Sequence, residues 1–159
     1  MPTDLDPIDY KILRELSHDA RISHVILSER VGLSSTACAR RLQHLEKIGI
    51  IYGYSADIDP SLLGYRMQAI VHISLDHQNE NALAAFERAV RNCPDVTSCH
   101  LMSGSHDYLV QVLVRDMEDY ERVHNQYLSR LPGVIRLQSS FVMRSVIKRS
   151  ISTSALVGD

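Results

Sequence analysis

Between Ser35 and Lys47 the chain reads STACARRLQHLEK, and its polar residues recur at a spacing that suits recognition chemistry. At about 100° per residue, Thr36, Arg40, Gln43 and Lys47 fall on one side of a helix, with His44 flanking them. Cys38, Leu42 and Leu45 fall on the other side. The polar face carries long hydrogen-bonding side chains and no acid. An arginine can offer two donors to guanine, and a glutamine can pair bidentately with adenine. Lys47, near the C-terminal end, suits backbone phosphate. Ser35 and Thr36 in the first turn, with Arg40, Arg41, Gln43, His44 and Lys47, make up the expected DNA-binding set. Arg41 lies to the side of the face, where it can meet phosphate or pair with Glu46 or Glu29. The competing reading is a solvated polar helix face; the missing acids and the elements that precede this helix favour contact with duplex DNA.

Those elements form a helix-turn-helix pattern. A first helix is expected from Asp6, a good N-cap, through Pro7 to about His18, with Ile8, Ile12, Leu13 and Leu16 as its inward stripe. Ser23 caps a second helix whose buried face is Ile26, Leu27 and Val31. Gly32 follows in the left-handed C-terminal position, and Ser34 caps the third helix. Ile50 to Ala56 is β-branched and aromatic, and reads as a short strand or wing. Asp57 to Gly64 is a connector.

The pattern then changes. Met67, Ala69, Val71, Ile73 and Leu75 alternate as a strand, and a helix is expected from Asn79 to Asn92 with Leu83, Phe86 and Val90 inward. Val96 to Ser103 and Asp107 to Val114 read as strands. Asp116 to Arg130 reads as a helix, with Met117, Tyr120, Val123 and Tyr127 inward. A long strand over Val134 to Ile147 completes the order. This βαββαβ order is the split arrangement of ferredoxin-like folds. Two helices on one face of such a sheet leave the other bare, with Ile70, Cys99, Leu101, Leu109 and Leu113 or their alternates on it. A second copy is the simplest cover, so a homodimer through the sheets is expected.

Composition sets the bounds. The chain has 159 residues and 45% apolar residues, room for one domain or two small ones. No apolar run approaches the ~20 residues of a membrane span, and the acidic start MPTDLDPIDY does not read as a signal peptide. A cytoplasmic address is expected. Cys38, Cys93 and Cys99 show no metal-ligand spacing and read as reduced, buried thiols. No metal, cofactor or catalytic residue is expected. The net charge is -2, and residues 1–60 carry seven Lys/Arg against nine Asp/Glu, so bulk charge says nothing of DNA. From Arg21 to Lys47, however, there are five basic residues and two acidic ones, and it is the local basic face that meets phosphates.

The chain resembles the Lrp/AsnC (feast/famine) transcription regulators. The resemblance is carried by LDPIDYKILRELSHDARIS (Leu5–Ser23), VGLS (Val31–Ser34), RRLQHLEKIGII (Arg40–Ile51), DPSLLGY (Asp59–Tyr65), CHLMSGSHDYLVQV (Cys99–Val112) and DMEDYERV (Asp116–Val123), in that order over nearly the whole length. It implies an α+β chain with a winged helix-turn-helix over 1–60, a ferredoxin-like βαββαβ ligand-sensing and oligomerisation domain over 61–148, and a tail over 149–159. It implies dimers that assemble further, an octamer being possible, a nucleoid-associated location, and an amino acid or related small molecule bound between subunits. The effector positions it implies are Gly104, Ser105, His106, Asp107 and Tyr108, with Leu101, Phe141, Val142 and Met143 also affecting the response. Three departures stand out. Ser35-Thr36-Ala37 replaces the common Pro-Thr-Pro, His106 stands where an aromatic residue is frequent, and the usual Leu-Pro is missing from the C-terminal tail, where disorder is expected.

The Gly104 loop has two readings from its own chemistry. Backbone N–H groups around Gly104 could hold a carboxylate while Asp107 accepts from an ammonium; or the loop is an ordinary tight turn capped by Asp107. A hydrolase built on Ser103, Ser105, His106 and Asp107 is disfavoured, because neighbouring residues of a strand point to opposite faces. The chain therefore reads as a sequence-specific, effector-modulated transcription regulator, with a DNA-wrapping architectural protein as the alternative.

Overall fold

The computed structural model describes residues 5–148, 151 and 153–156. The chain forms two compact units. One holds the described residues up to Asp57 together with those from Ile147 onward; the other is Ile58–Val146.

The first unit is built on α1 (Pro7–His18), α2 (His24–Val31) and α3 (Ser35–Lys47). Each start is chemically specified. Asp6 accepts from the N–H groups of Ile8 and Asp9, while Ser23 and Ser34 cap α2 and α3 through Ile26 and Ala37. Gly32 ends α2 at φ 75°, left-handed backbone that a side chain would strain. The core is Ile12, Leu27, Val31, Cys38, Leu42 and Leu45. Ile26 does not join it: it is exposed, and Ser28 is buried in that turn, its hydroxyl donating to Val25 O at 2.7 Å. The expected strand over Ile50–Ala56 is also absent. Ile50 and Ile51 pack onto the core, but residues 52–59 pair with no strand among the described residues, and an extended segment without a ladder partner is not a sheet. In the segment expected as tail, Thr153–Leu156 form a 3-10 turn with Leu156 buried, its carbonyl accepting from Arg14 at 3.3 Å.

The second unit is one antiparallel sheet in the order β2-β3-β1-β4, made of β1 (Met67–Leu75), β2 (Val96–Leu101), β3 (Tyr108–Val114) and β4 (Val134–Phe141). Helices α4 (Glu80–Val90) and α5 (Met117–Gln126) supply the other layer. Ala69, Val71, Ile73 and Leu75 alternate inward with Tyr108, Val110, Val112 and Val114. Phe86 stacks on Tyr108 at 4.3 Å between ring centres. Met117, expected inward, is exposed.

Register corrects two expectations. Cys99 pairs with Val110 and Leu101 with Tyr108, so both lie on the helix-covered side, not the bare one. The irregularity between Val96 and Ser98 sets that parity. The bare face instead carries Ile70, His72, Leu109, Gln111 and Leu113. The last strand stops at Phe141, not Ile147. Its partner β1 begins at Met67, and after Val142 N–H donates to Gln68 O the ladder has no further acceptor.

Leu45 is fully buried under α3. Leu45→Ala should destabilise the helical unit by ~2–5 kcal/mol, read as a lower urea midpoint of its unfolding transition.

Candidate nucleic-acid interface and effector loop

Packing of the Cys38, Leu42 and Leu45 stripe turns the opposite face of α3 outward. Ser35, Thr36, Arg40, Gln43, His44 and Lys47 are all exposed. Among the described residues, the side chains of Arg40, Gln43, His44 and Lys47 make no intramolecular hydrogen bond, so their donors are free for a ligand. Ser35 Oγ sits 3.3 Å from Ser28 Oγ, tying the first turn of α3 to α2.

Arg41 is placed differently. It pairs with neither Glu46 nor Glu29. Its Nη1 is 2.6 Å from Asp6 Oδ2 and 2.9 Å from Asp9 Oδ1, at the start of α1. Hydrogen bonding to Asp9, then to Asp6, raises the guanidinium pKa further. The Asp6 carboxyl is held below its ordinary value of 3.8, chiefly by the Asp9 N–H it accepts, with Arg41 adding to the effect against the cost of burial. Glu46 is engaged by the Tyr54 hydroxyl at 2.8 Å; burial and that neighbour push Tyr54 up to about 12.

In the second unit the residues expected at an effector site separate into two groups. Leu101 to Tyr108 lie at the β2–β3 turn. Phe141, Val142 and Met143 lie where β4 ends, opposite Ala69 and two strands away from β3. Strand spacings put Phe141 and Tyr108 roughly 16 Å apart. Within one chain the two groups do not converge. At the turn, Gly104 has φ 141°, and Gly104 and Ser105 are exposed. Asp107 is buried and doubly committed: Oδ2 accepts from Leu75 N–H at 2.7 Å and Oδ1 from Gln78 Nε2 at 2.6 Å. Tyr108 points inward, its hydroxyl donating to Glu87 at 3.0 Å. His106 Nδ1 lies 3.4 Å from Ser74 Oγ, and its ring is 5.0 Å from that of His72.

Leu101 and Tyr108 also line a cavity of about 390 Å³ between α4 and β2, floored by Val90, Cys93 and Cys99 and rimmed by Glu87 and Arg91. Burial, then the Glu87 charge, pushes the Cys99 thiol up to about 11, so it is a poor nucleophile at neutral pH. Sequence reasoning did not find this cavity, because it depends on the parity of β2. Among the described residues no cluster of His, Cys, Asp or Glu could hold a metal ion, and no helix is long and apolar enough to cross a membrane.

Residues 5–52 match a family model described as winged helix-turn-helix DNA-binding, and residues 68–151 match the Lrp/AsnC ligand binding domain. The chain belongs to the Lrp/AsnC family. The leucine-responsive regulatory protein of Escherichia coli is 42% identical over 143 residues, covering 90% of this chain and 87% of that one. A transcriptional regulator of Neisseria meningitidis, solved as its L-Met complex, shares 36% identity at a TM-score of 0.87, over 92% of this chain and 94% of that one. An AsnC family regulator of Agrobacterium tumefaciens superposes with a TM-score of 0.89 at 29% identity, over 95% of this chain and 98% of that one. This is therefore an Lrp-family transcriptional regulator, with a DNA-binding helix-turn-helix followed by a ligand-binding domain. In Lrp/AsnC terms, α3 lies within the helix-turn-helix match and the sheet of the second unit within the ligand-binding match.

The depressed Asp6 carboxyl has a pH consequence with a definite sign. A carboxyl whose folded value is lowered contributes stability well above its ordinary 3.8 and loses it as pH falls through and below that value. Asp6→Asn, which can still cap α1, should cost stability at pH 6 and little at pH 3. Urea midpoints of the two proteins across that range should converge on the acid side.

Proposed function

We propose that this Lrp/AsnC chain is a sequence-specific transcription regulator whose DNA affinity or assembly is set by an amino acid or a related small molecule. The observation that carries the reading is the unencumbered face of α3. Long donors and acceptors at Arg40, Gln43, His44 and Lys47, with Ser35 and Thr36 in the first turn, stand exposed on a helix whose other face is locked in a core. Arg40 and Gln43 read base edges, and Lys47 neutralises phosphate.

A homodimer supplies the second copy of α3, the two entering major grooves about one DNA turn apart. The bare sheet face bearing Ile70, Leu109 and Leu113 supports that pairing, and further assembly, up to an octamer, follows the same reading. The effector site is assigned to Gly104, Ser105, His106 and Leu101 of one subunit, with Phe141, Val142 and Met143 brought from another. The wide separation of the two groups within one chain supports a site between subunits. Among the described residues the N–H groups of Ser103 to His106 donate to no acceptor, which suits an effector carboxylate. Asp107 and Tyr108 act behind the contact layer: Asp107 fastens the turn to the end of β1 and Tyr108 to α4. The Neisseria meningitidis relative's L-Met complex supports an amino acid as the ligand class.

Three outcomes test this reading. Arg40→Ala should cost ~1–3 kcal/mol on the preferred site and relax discrimination at one base position, measured by titrating a set of point-mutated operators. Lys47→Ala should weaken all sequences alike and flatten the salt slope by about one. Among the twenty amino acids, at least one should raise the thermal midpoint of the full chain, the linkage stabilisation being about 2.7 kcal/mol at a hundredfold excess over its Kd. A footprint of even coverage, with no preferred site, would instead support the architectural role.

A further inference from the structure

Arg41 is one residue from Arg40, about 100° round the same helix, yet its guanidinium is seated at the start of α1. The seat is part of the α1 N-cap. Asp6 Oδ1 accepts the N–H groups of Ile8 and Asp9 at 2.9 Å each, and its other oxygen holds Arg41. Asp9 Oδ2 accepts the Asp6 N–H at 3.1 Å, and its other oxygen also holds Arg41. Each carboxylate thus spends one oxygen closing the capping box and the other on the same nitrogen. Asp9 is 6% exposed, so half of the seat is buried. Carboxylates tethered by a helix cap cannot follow a wandering side chain, and a planar guanidinium accepts few orientations between them.

The apolar stripe under α3 fixes which face turns outward, but apolar contact is non-directional and does not by itself set the exact roll of the helix about its axis. A fixed polar contact at the flank removes that freedom. Charge points the same way: two carboxylates around one guanidinium leave the cluster with an excess negative charge, which does not draw it to phosphate.

We propose that Arg41 is a positioning residue that locks the roll of α3 against α1, and so aims Arg40 and Gln43 at their bases, without itself touching DNA. This rests on the reading above that α3 discriminates sequence. It replaces the assignment of Arg41 to the DNA-contacting set.

The test uses the full chain, a duplex that the wild type selects from a random pool, and a scrambled duplex of the same length, each over a salt series. Arg41→Ala should lower affinity for the selected duplex about tenfold and for the scrambled one much less, with both salt slopes unchanged. Asp9→Ala should have a similar effect, and the double variant should fall well short of the product of the two losses, the non-additivity expected of groups in contact. Arg41→Lys should recover little of the discrimination, because an ammonium is not a planar fork. Equal losses on both duplexes with a slope lower by about one would make Arg41 a phosphate contact and overturn the proposal. Equal losses at unchanged slope that track the folded fraction by circular dichroism would make it a general stabiliser and overturn it as well. If Arg41→Ala does not fold, Arg41→Lys and Asp6→Asn carry the same comparison. A pool that yields no preferred duplex would overturn the reading of specific recognition itself. That result is separable, since the salt slope on scrambled duplex still tells whether Arg41 meets phosphate.

Discussion

Helix α3 can bury only one of its faces, and everything the helical unit offers to a partner depends on which. Cys38, Leu42 and Leu45 go under, against Ile12, Leu27 and Val31. Removing those side chains from water is the largest favourable contribution to this small unit. It leaves Arg40, Gln43, His44 and Lys47 on the outside, their side chains hydrogen-bonded to no partner among the described residues. Several acids of this unit are engaged with neighbouring side chains. Asp6 and Asp9 close the cap of α1 and hold Arg41, Glu15 pairs with Arg30 at 2.7 Å, and Glu46 accepts from Tyr54. Residues 1–60 carry more acid than base, yet the outward Thr36, Arg40, Gln43 and Lys47 side of α3 holds no carboxylate.

The sensor unit works by a parallel economy of faces. Two helices cover one side of the sheet, and the alternation of Ala69, Val71, Ile73 and Leu75 with Tyr108, Val110, Val112 and Val114 fills the space between. The turn between β2 and β3 is then fastened from behind. Asp107 spends both oxygens on the end of β1 and on Gln78, and Tyr108 stacks on Phe86 while bonding Glu87. A turn anchored so firmly at its base can keep its outer backbone donors exposed and still hold one shape, as preorganised binding requires.

The parts of this arrangement that were legible in the sequence are those written in local periodicity. The three helices of the first unit, their Ser and Asp caps, Gly32, and the outward face of α3 follow from spacing and cap chemistry, as do the inward sets of β1 and β3. What was not legible depends on partners far apart in the chain. Arg41 lies 32 residues from Asp9 and further still from Asp6, and sequence proximity had pointed to Glu46 or Glu29. The side taken by Cys99 and Leu101 turns on an irregularity between Val96 and Ser98. The end of β4 is set by where β1 begins. The hydrogen bonds by which Asp107 holds the turn come from Gln78 and the Leu75 N–H, neither of which any motif announces.

The central claim is that the exposed face of α3 reads base edges in the major groove. Methylation interference on the duplex selected by the full chain tests it most directly, because a methyl on guanine N7 blocks the acceptor that an arginine would use. The account predicts interference at guanines in two clusters about one DNA turn apart, with Arg40→Ala abolishing the sensitivity of one guanine in each cluster. Binding indifferent to N7 methylation, or a pattern that Arg40→Ala leaves unchanged, would contradict it.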